Sequence, residues 1–333
     1  SDTMSPASAS SIGWRARPRK ASTFETRNRS ISTPSRESAR TVWPDFTVPL
    51  SIRSTGVPVR RAGRDRLAQE LQDWLGSRAE GTVGVIGAAH VLEALEETEG
   101  SLKDGFDLFC GSSAGAIVAT AAAMGRPMAE LREGFVLRGE QAFRRHRISN
   151  PRNLLRFFSS ARYESAPLAQ LVEELAGDAR FGDLDRVLAV TATRLNDGGA
   201  VLFEPGTHAH VLVREAVLAS TAAPTMFPAV NVDGALHADG GIFANAPDLL
   251  ALELAIRSGA PAAEIEMLSL GSMNACPPLG EPADPNMGVL DWIKGNRIFR
   301  TMIGAQAAVT ARMMKSLLGD RYLRIDADPG FPL

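Results

Sequence analysis

The chain is poor in cysteine and histidine, and both shortages limit the chemistry it can carry. Its two cysteines, Cys110 and Cys276, supply neither a disulfide framework nor a C-x-x-C metal pattern. There are five histidines, and none follows His237. No run reaches the roughly 18 to 20 consecutive apolar residues that a membrane-spanning helix needs. The sequence therefore argues against a secreted disulfide scaffold, a zinc protein and a membrane-spanning protein.

The amino-terminal part also lacks acidic residues and sustained hydrophobic periodicity. Residues 1–66 hold 13 Lys and Arg against 5 Asp and Glu, whereas residues 67–333 hold 23 against 33, so the net charges are +8 and −10. A segment rich in Ser, Thr and Pro cannot bury enough apolar surface to offset its ordering entropy. We therefore expect residues 1–66 to be mostly disordered. Their basic, Ser-rich composition leaves organelle targeting open as an alternative, and such a tail also favours an anionic membrane surface.

From about residue 67 the sequence becomes that of a globular domain, 67–333. With 44% apolar residues, the chain can build one large α/β domain. Segment 66–75, RLAQELQDWL, has helical spacing. Segment 82–97, TVGVIGAAHVLEALEE, has apolar residues on one face and glutamates on another, which predicts an amphipathic helix ending before Gly100. We assign no role to His90 within it.

The most informative run is FDLFCGSSAGAIVATAAAMG, residues 106–125. A short apolar strand leads into GSSAG and then into an Ala-rich helix, which is the strand, G-x-S-x-G, helix order of a nucleophile turn. The sharp turn exposes the serine oxygen, and the small residues Gly111 and Gly115 let neighbouring backbone approach. The register of the motif selects Ser113, rather than Ser112, as a candidate nucleophile.

The helix that follows this turn supplies a candidate oxyanion donor. Ser113 would lie at the helix amino terminus, where the backbone amide of Ala114 and the helix dipole stabilise developing negative charge. Cys110, on the preceding apolar strand, is expected to be buried. The alternative interpretation of the motif is an ordinary Gly/Ser turn between buried elements.

A serine nucleophile needs a base, and the histidines offer only one tolerable option. An α/β-hydrolase places its triad in the order Ser, Asp or Glu, His, which leaves His237 with Asp233, crowded into one apparent hairpin. Asp239 is the better candidate, because Gly240 and Gly241 after it give the loop freedom to bring a carboxylate against another loop. A carboxylate accepts the serine proton directly when partial desolvation brings the two pKa values together.

The pairing of GSSAG with DGG resembles the patatin-like phospholipases, which use a Ser–Asp dyad and no catalytic histidine. Together with those two motifs, the resemblance covers residues 82 to about 275. Four further segments agree with the family in order and spacing: RVLAVTATRL (186–195), LVREAVLASTAAPTMFPAV (212–230), GGIFANAPDLLALELA (240–255) and EIEMLSLGS (264–272).

This resemblance implies a three-layer α/β/α domain with a mostly parallel central sheet. It implies Ser113 as nucleophile, Asp239 as base and the Ala114 amide as one oxyanion donor. The expected substrate is a lipid or phospholipid ester, met in the cytoplasm or at a peripheral membrane surface. Neither a metal or organic cofactor nor a nucleic-acid partner is implied.

The sequence departs from the family at the start of the domain. Patatin-like domains open with a strand and a D-G-G-G-x-R-G loop that supplies further oxyanion amides, but residues 77–90 read SRAEGTVGVIGAAH. Only Gly81 and Gly84 remain for that loop, and we expect a central strand and an oxyanion donor to be missing. Residues 46–56, FTVPLSIRSTG, are a remote alternative for the strand, although they lack the loop glycines. The alternative function is therefore a catalytically impaired family member or a lipid-binding module.

Two later segments raise the question of lipid contact. Residues 127–176 are predicted to be helical, and within them the basic and aromatic stretch 143–158 is interpreted as a solvated helical face or a loop, with lipid headgroups as the alternative. Near the carboxyl end, Met302, Met313 and Met314 fall among apolar positions. We interpret these methionines as core filler rather than as a lipid-binding stripe.

Overall fold

The fold is known from a computed structural model that describes residues 48–53, 84–142, 165–271, 288 and 297–326. Its strands are β1 (Val48–Arg53), β2 (Leu108–Gly111), β3 (Val187–Arg194), β4 (Gly199–Phe203), β5 (Val230–Val232), β6 (Ala235–Asp239), β7 (Glu266–Leu270) and β8 (Tyr322–Ile325). Its helices are α1 (Gly84–Glu99), α2 (Leu102–Gly105), α3 (Ala114–Ala123), α4 (Met128–Ala142), α5 (Ala166–Ala176), α6 (Pro205–His208), α7 (Val213–Ser220), α8 (Gly241–Ala244), α9 (Asp248–Arg257) and α10 (Arg297–Leu318).

The eight strands form one mixed sheet with a dominant direction. The pairs β2–β3 and β7–β8 are parallel, and the other pairs are antiparallel. When these pairings are followed across the sheet, β2, β3, β5, β7 and β8 run one way and β1, β4 and β6 run the other. The predicted α/β fold is thus confirmed. Most of the described strands run in one direction, as a mostly parallel sheet predicts, although most neighbouring pairs are antiparallel.

Helices cover both faces of the sheet, as the alternation of side chains along its central strands requires. Phe109, Leu188 and Val190 point into a large core shared with helices α1, α3, α5 and α7. Leu108, Cys110 and Ala189 point to the other face, into a smaller core with helices α9 and α10. The three-layer arrangement and the buried position of Cys110 follow the expectations from the sequence.

The amphipathic pattern predicted for residues 82–97 forms helix α1. Ala88, Val91, Leu92 and Leu95 on its apolar face are all buried. The helix ends at Glu99, and Gly100 follows with a φ of 84°, a left-handed conformation that glycine adopts without strain. Within the part of the chain described here, no helix is both long and apolar enough to span a membrane. The predicted helix at 66–75 and the stretch 143–158 lie outside the described residues.

Strand β1 corrects two expectations about the amino-terminal part. Residues 48–53, expected within a disordered segment, lie between β2 and β7 and are antiparallel to both. The central gap that we expected from the missing family strand is therefore filled by residues 48–53, which belong to the upstream segment 46–56 that had been the remote alternative. Backbone pairing explains this outcome, because an open slot between two strands exposes hydrogen-bonding groups that any extended segment can satisfy.

The direction of β1 matters for the site that follows. Ile52 pairs with Leu108, the first residue of β2, so Arg53 lies at the end of the sheet away from the nucleophile turn. In the family pattern the first strand leads directly into the oxyanion loop. Here the carboxyl end of β1 points the opposite way, so a loop following it would start far from Ser113.

Strands β2 and β6 meet head-on along the same edge of β3. Val190 pairs with Gly111 of β2 on one side and with β4 on the other, and Ala192 pairs with β4 and with Asp239 of β6. Since β4 occupies one edge, β2 and β6 share the opposite edge. Their carboxyl ends point at each other, because β2 is parallel to β3 and β6 is antiparallel. Gly111 and Asp239 pair with β3 residues two positions apart, a spacing of roughly 7 Å.

Candidate active site

The turn after β2 holds Ser113 in a strained backbone conformation. Its φ is 54° and its ψ is −128°, and it is one of three non-glycine residues with positive φ among those described. Such a conformation costs on the order of 1–3 kcal/mol and persists only where the surroundings enforce it. Helix α3 begins at the next residue, so the strand, turn and helix predicted for the G-x-S-x-G motif are all present.

Asp239 ends β6 and faces this turn. The Ser113 hydroxyl donates to its Oδ2 atom at 2.6 Å, and the Gly241 amide donates to its Oδ1 atom at 2.7 Å. Ser113 and Asp239 are both buried. The hydrogen bond expected between these two side chains is therefore present, and Gly241 contributes by orienting the carboxylate.

Burial sets the proton affinity of this carboxyl group. Desolvation by burial raises the pKa of Asp239 to about 7. The hydrogen bonds from Ser113 and Gly241 lower this pKa, but their effects are smaller. No charged side chain among the described residues contributes to this shift. At neutral pH the group is poised between its two protonation states, which is the condition that proton transfer to and from a serine requires.

Two glycines allow the strand ends to approach this closely. A Cβ atom on Gly111 would lie 2.4 Å from the backbone oxygen of Gly115, in the first turn of α3. A Cβ atom on Gly240 would lie 2.0 Å from the Thr191 hydroxyl oxygen on β3. Both positions therefore require glycine for close backbone packing. The sequence analysis expected a close approach at Gly111, whereas for Gly240 it expected freedom of the loop.

Ser220, at the carboxyl end of α7, is a further residue of the turn. Its side-chain oxygen accepts a hydrogen bond from the Ser113 amide at 2.8 Å, and both residues are buried. This bond ties the strained residue to the end of α7. The sequence analysis included Ser220 in segment 212–230 without assigning it a role; a small polar residue at the end of the apolar run AVLA was the available signal.

The start of helix α3 offers one amide to the candidate oxyanion side of the site. The Ala114 amide is the first of α3 and belongs to the amides that have no partner within a helix. Gly84 is the first residue of helix α1, and Gly81 lies outside the described residues. The expectation that these two glycines replace the family loop therefore remains a prediction.

The histidines do not assemble the alternative triad. The Asp233 carboxylate contacts Nε2 of His210 at 2.8 Å. His237 is buried, its Nδ1 lies 3.0 Å from the backbone oxygen of Ala235, and its ring packs on Phe203. Burial also lowers the pKa of His237. Nothing in these contacts couples His237 to Asp233 as a triad would.

The described residues also contain no group of three or more His, Cys, Asp or Glu side chains placed to hold a metal ion. The reactive groups gathered here are a hydroxyl, a carboxylate near neutral pKa and the Ala114 amide at the start of a helix. Such a set can transfer an acyl group to and from a serine oxygen.

Comparison with known proteins shows the family to which the chain belongs. A sequence profile described as Patatin-like phospholipase matches residues 81–252, just over half of the chain. The cGAMP-activated phospholipase of Pseudomonas aeruginosa is 31% identical over 247 residues, which are 72% of this chain and 73% of that protein. The protein of the same name from Vibrio cholerae is 28% identical over 221 residues, covering 60% and 62% of the two chains.

A mammalian relative matches a smaller part of the chain than the two bacterial relatives do. The Calcium-independent phospholipase A2-gamma of Rattus norvegicus is 29% identical over 192 residues, which are 52% of this chain but only 24% of that protein. This chain therefore spans between about a quarter and three quarters of these relatives. It belongs to the patatin-like phospholipase family, and its relatives are named as phospholipases.

Proposed function

We propose that the chain is a serine lipid acyl hydrolase that cleaves fatty-acyl esters, of the phospholipase A or esterase type, by a Ser113–Asp239 dyad. One observation carries the proposal: a 2.6 Å hydrogen bond from the hydroxyl of a strained turn serine to a buried carboxylate whose pKa is about 7. The substrate class rests on the family, whose named members act as phospholipases.

The first half-reaction forms an acyl-enzyme. The Ser113 oxygen attacks the acyl carbonyl carbon while Asp239 accepts the hydroxyl proton. The oxyanion of the tetrahedral intermediate accepts a hydrogen bond from the Ala114 amide. As the intermediate collapses, the bond to the leaving oxygen breaks, and Asp239 returns its proton to the leaving alcohol.

The second half-reaction releases the fatty acid. A water molecule attacks the acyl carbon of the ester on Ser113, and Asp239 accepts its proton. Collapse of the second intermediate breaks the bond to the serine oxygen, which recovers the proton from Asp239. Each cycle consumes one ester and one water, and no other reactant is needed.

The rival proposal is a catalytically impaired family member that binds lipid without turnover. It is favoured by the direction of β1, whose carboxyl end lies away from Ser113 and cannot lead directly into a loop over the turn. Ester hydrolysis, measured with a chromogenic ester and with phosphatidylcholine vesicles, separates the two proposals when combined with labelling by a fluorophosphonate. We expect slow but measurable hydrolysis and labelling of a single serine; absence of both would favour the rival.

The relatives' names suggest one more arm for this experiment. Because proteins matching up to 72% of this chain are named as cGAMP-activated phospholipases, the assay should be run with and without cGAMP. A rise in rate would extend the proposal to activation by a cyclic dinucleotide. An unchanged rate would leave the hydrolase proposal as it stands.

The pKa of Asp239 predicts a pH dependence of catalysis. Because the base must be ionised, kcat/KM for a soluble ester should rise about tenfold per pH unit up to about 7 and then level off. A pH–rate profile tests this, with His237→Ala as the control that should keep the same midpoint. If the midpoint disappears in the His237 variant instead, histidine is the titrating base.

The same shift predicts the pH dependence of stability. Because burial raises the folded-state pKa of Asp239 above its ordinary value of 3.8, the folded state retains the proton between pH 4 and 7 while the unfolded state loses it. The free energy of unfolding should therefore fall by about 4 kcal/mol as the pH rises through this range. Urea unfolding of the chain and of Asp239→Asn, compared at both ends of the range, isolates this contribution.

The contact between Ser220 and Ser113 predicts a positioning role. Replacing Ser220 by alanine leaves the Ser113 amide buried without its acceptor, which costs about 1–3 kcal/mol and loosens the strained turn. We expect kcat to fall by about 10- to 100-fold with KM little changed. Steady-state kinetics and the rate of fluorophosphonate labelling measure the effect.

Two control variants separate positioning from stability. Ser220→Thr keeps the hydroxyl and should restore most of the rate. Thr221→Val removes the neighbouring hydroxyl, which bonds only within α7 to the Val217 and Leu218 carbonyls, and should leave labelling unchanged. If Ser220→Ala labels at the original rate and only its melting temperature drops, the positioning role is wrong.

A further inference from the structure

Helix α10 carries an apolar stripe on its solvent side. Ile298, Met302, Val309, Met313 and Leu317 are each between 45% and 58% exposed. At 3.6 residues per turn, these five positions fall within an arc of about 100° along the helix. The interpretation of Met302 and Met313 as core filler is therefore wrong, whereas Met314 is fully buried as expected.

The neighbouring face of the helix already has its partner. Ile303, Thr310, Met314 and Leu318 are buried, and Met314 and Leu318 join the core on the α9 side of the sheet. This packing fixes the rotation of the helix about its own axis, so the stripe residues are not part of that core. Elsewhere among the described residues, only three large apolar side chains are exposed: Leu195 and Leu236, whose backbones share a hydrogen bond, and Ile256. This concentration is what distinguishes the stripe from ordinary surface apolar residues.

The charged residues within helix α10 are all of one sign. Residues 297–318 contain four Arg and Lys and no Asp or Glu, although residues 67–333 as a whole have a net charge of −10. Arg297, Arg312 and Lys315 are exposed and border one side of the stripe by the same helical arithmetic. Lys315 also contacts Asp320, just past the helix, at 3.3 Å.

The stripe lies beside the loop that carries the proposed base. Gln306, one turn after Met302, accepts a hydrogen bond from the Asn245 amide at 2.8 Å and donates to the Phe243 backbone oxygen. Helix α8, which contains Phe243, follows directly after Asp239 and Gly240. A surface that meets the stripe would therefore lie close to the segment that positions the carboxylate.

We propose that the α10 stripe docks on the surface of an anionic phospholipid bilayer. An apolar stripe flanked by cations, on a helix of about 33 Å, is the pattern of helices that lie in the plane of a membrane interface. The apolar side chains enter the boundary of the acyl chains, and the Arg and Lys heads remain among the anionic headgroups. The inference rests on the proposed function, since it names the physical form in which the substrate is met.

The test uses vesicle binding by the full chain with Ser113→Ala, so that no turnover is needed. Flotation with vesicles of phosphatidylcholine and phosphatidylglycerol should carry the protein, pure phosphatidylcholine should carry less, and added salt should release it. Met302→Ser with Met313→Ser should lower partitioning about tenfold or more. Leu195→Ser with Ile256→Ser, which removes equally exposed apolar side chains elsewhere, should leave it unchanged.

Each outcome decides between stated alternatives. If both double variants float like the parent, or if the parent does not float, the docking proposal is wrong. If light scattering shows a dimer that Met302→Ser with Met313→Ser converts to a monomer, the stripe is an interface between two copies instead. Hydrolysis of a soluble ester by the Ser113 form is measured in parallel, so loss of vesicle binding and loss of the proposed activity are told apart.

Discussion

Replacing Ser113 by alanine is expected to abolish ester hydrolysis and fluorophosphonate labelling together. Asp239→Asn should have nearly the same effect, because an amide cannot accept the serine proton that the carboxylate takes across the 2.6 Å hydrogen bond. For residues that act as a unit, such losses amount to about 10⁴-fold or more in kcat. Initial rates with a chromogenic ester, with protein folding checked by circular dichroism, measure both variants.

The double variant and one histidine variant make this prediction specific. Because Ser113 and Asp239 serve the same proton transfer, changing both should cost little more than changing either one. His237→Ala should retain activity, since its ring packs on Phe203 and its Nδ1 meets a local backbone oxygen. Loss of activity in His237→Ala together with retained activity in Asp239→Asn would replace the dyad by a histidine triad.

Restoring the family's oxyanion loop is expected to raise turnover by about 100- to 1000-fold, the usual effect of one oxyanion donor. In this chain β1 fills the central slot but runs antiparallel to β2, so its carboxyl end does not approach Ser113. A chimera that replaces residues 46–83 by a hydrophobic strand and D-G-G-G-x-R-G, joined to Gly84, should place a parallel strand in that slot. The loop amides would then lie above the turn, beside the Ala114 amide.

The matched control is a chimera with the same strand but alanines in place of the loop glycines. It should fold like the first chimera and stay near the original rate, because Cβ atoms and restricted φ values prevent the amides from converging. Titration of active sites with a fluorophosphonate normalises the rates for folded protein. Equal rates for the unmodified chain and the glycine chimera would mean that its oxyanion site is already complete.

A large part of the site was predictable because its determinants are local. A turn of small residues between a strand and a helix indicates Ser113 as the candidate nucleophile, since that order of elements places a serine at a helix start. The Asp-Gly-Gly sequence after a short strand and the lack of a later histidine together single out Asp239. The apolar period of helix α1 likewise predicted its buried face, because a helix repeats every 3.6 residues whatever surrounds it.

The sequence was less informative where non-local pairing decides the outcome. Residues 48–53 read as part of a disordered tail, yet β2 and β7 provide hydrogen-bonding partners on both sides. Whether a short extended segment joins a sheet, and in which direction, depends on the slot that the other strands leave open. The side-chain pattern of the segment itself does not show which position in the sheet is open.

By itself, then, the sequence determined the α/β fold and the family, and it led to the proposal of Ser113 and Asp239, because these features depend on local conformation. Only the tertiary structure decided that β2 and β6 meet head-on along β3, that Ser220 holds the Ser113 amide, and that the α10 stripe faces solvent. Helical periodicity shows that α10 has apolar positions around much of its circumference. The elements that pack against the helix decide which of those positions are buried. Burial requires two surfaces in contact, so the sequence of the helix alone does not determine it.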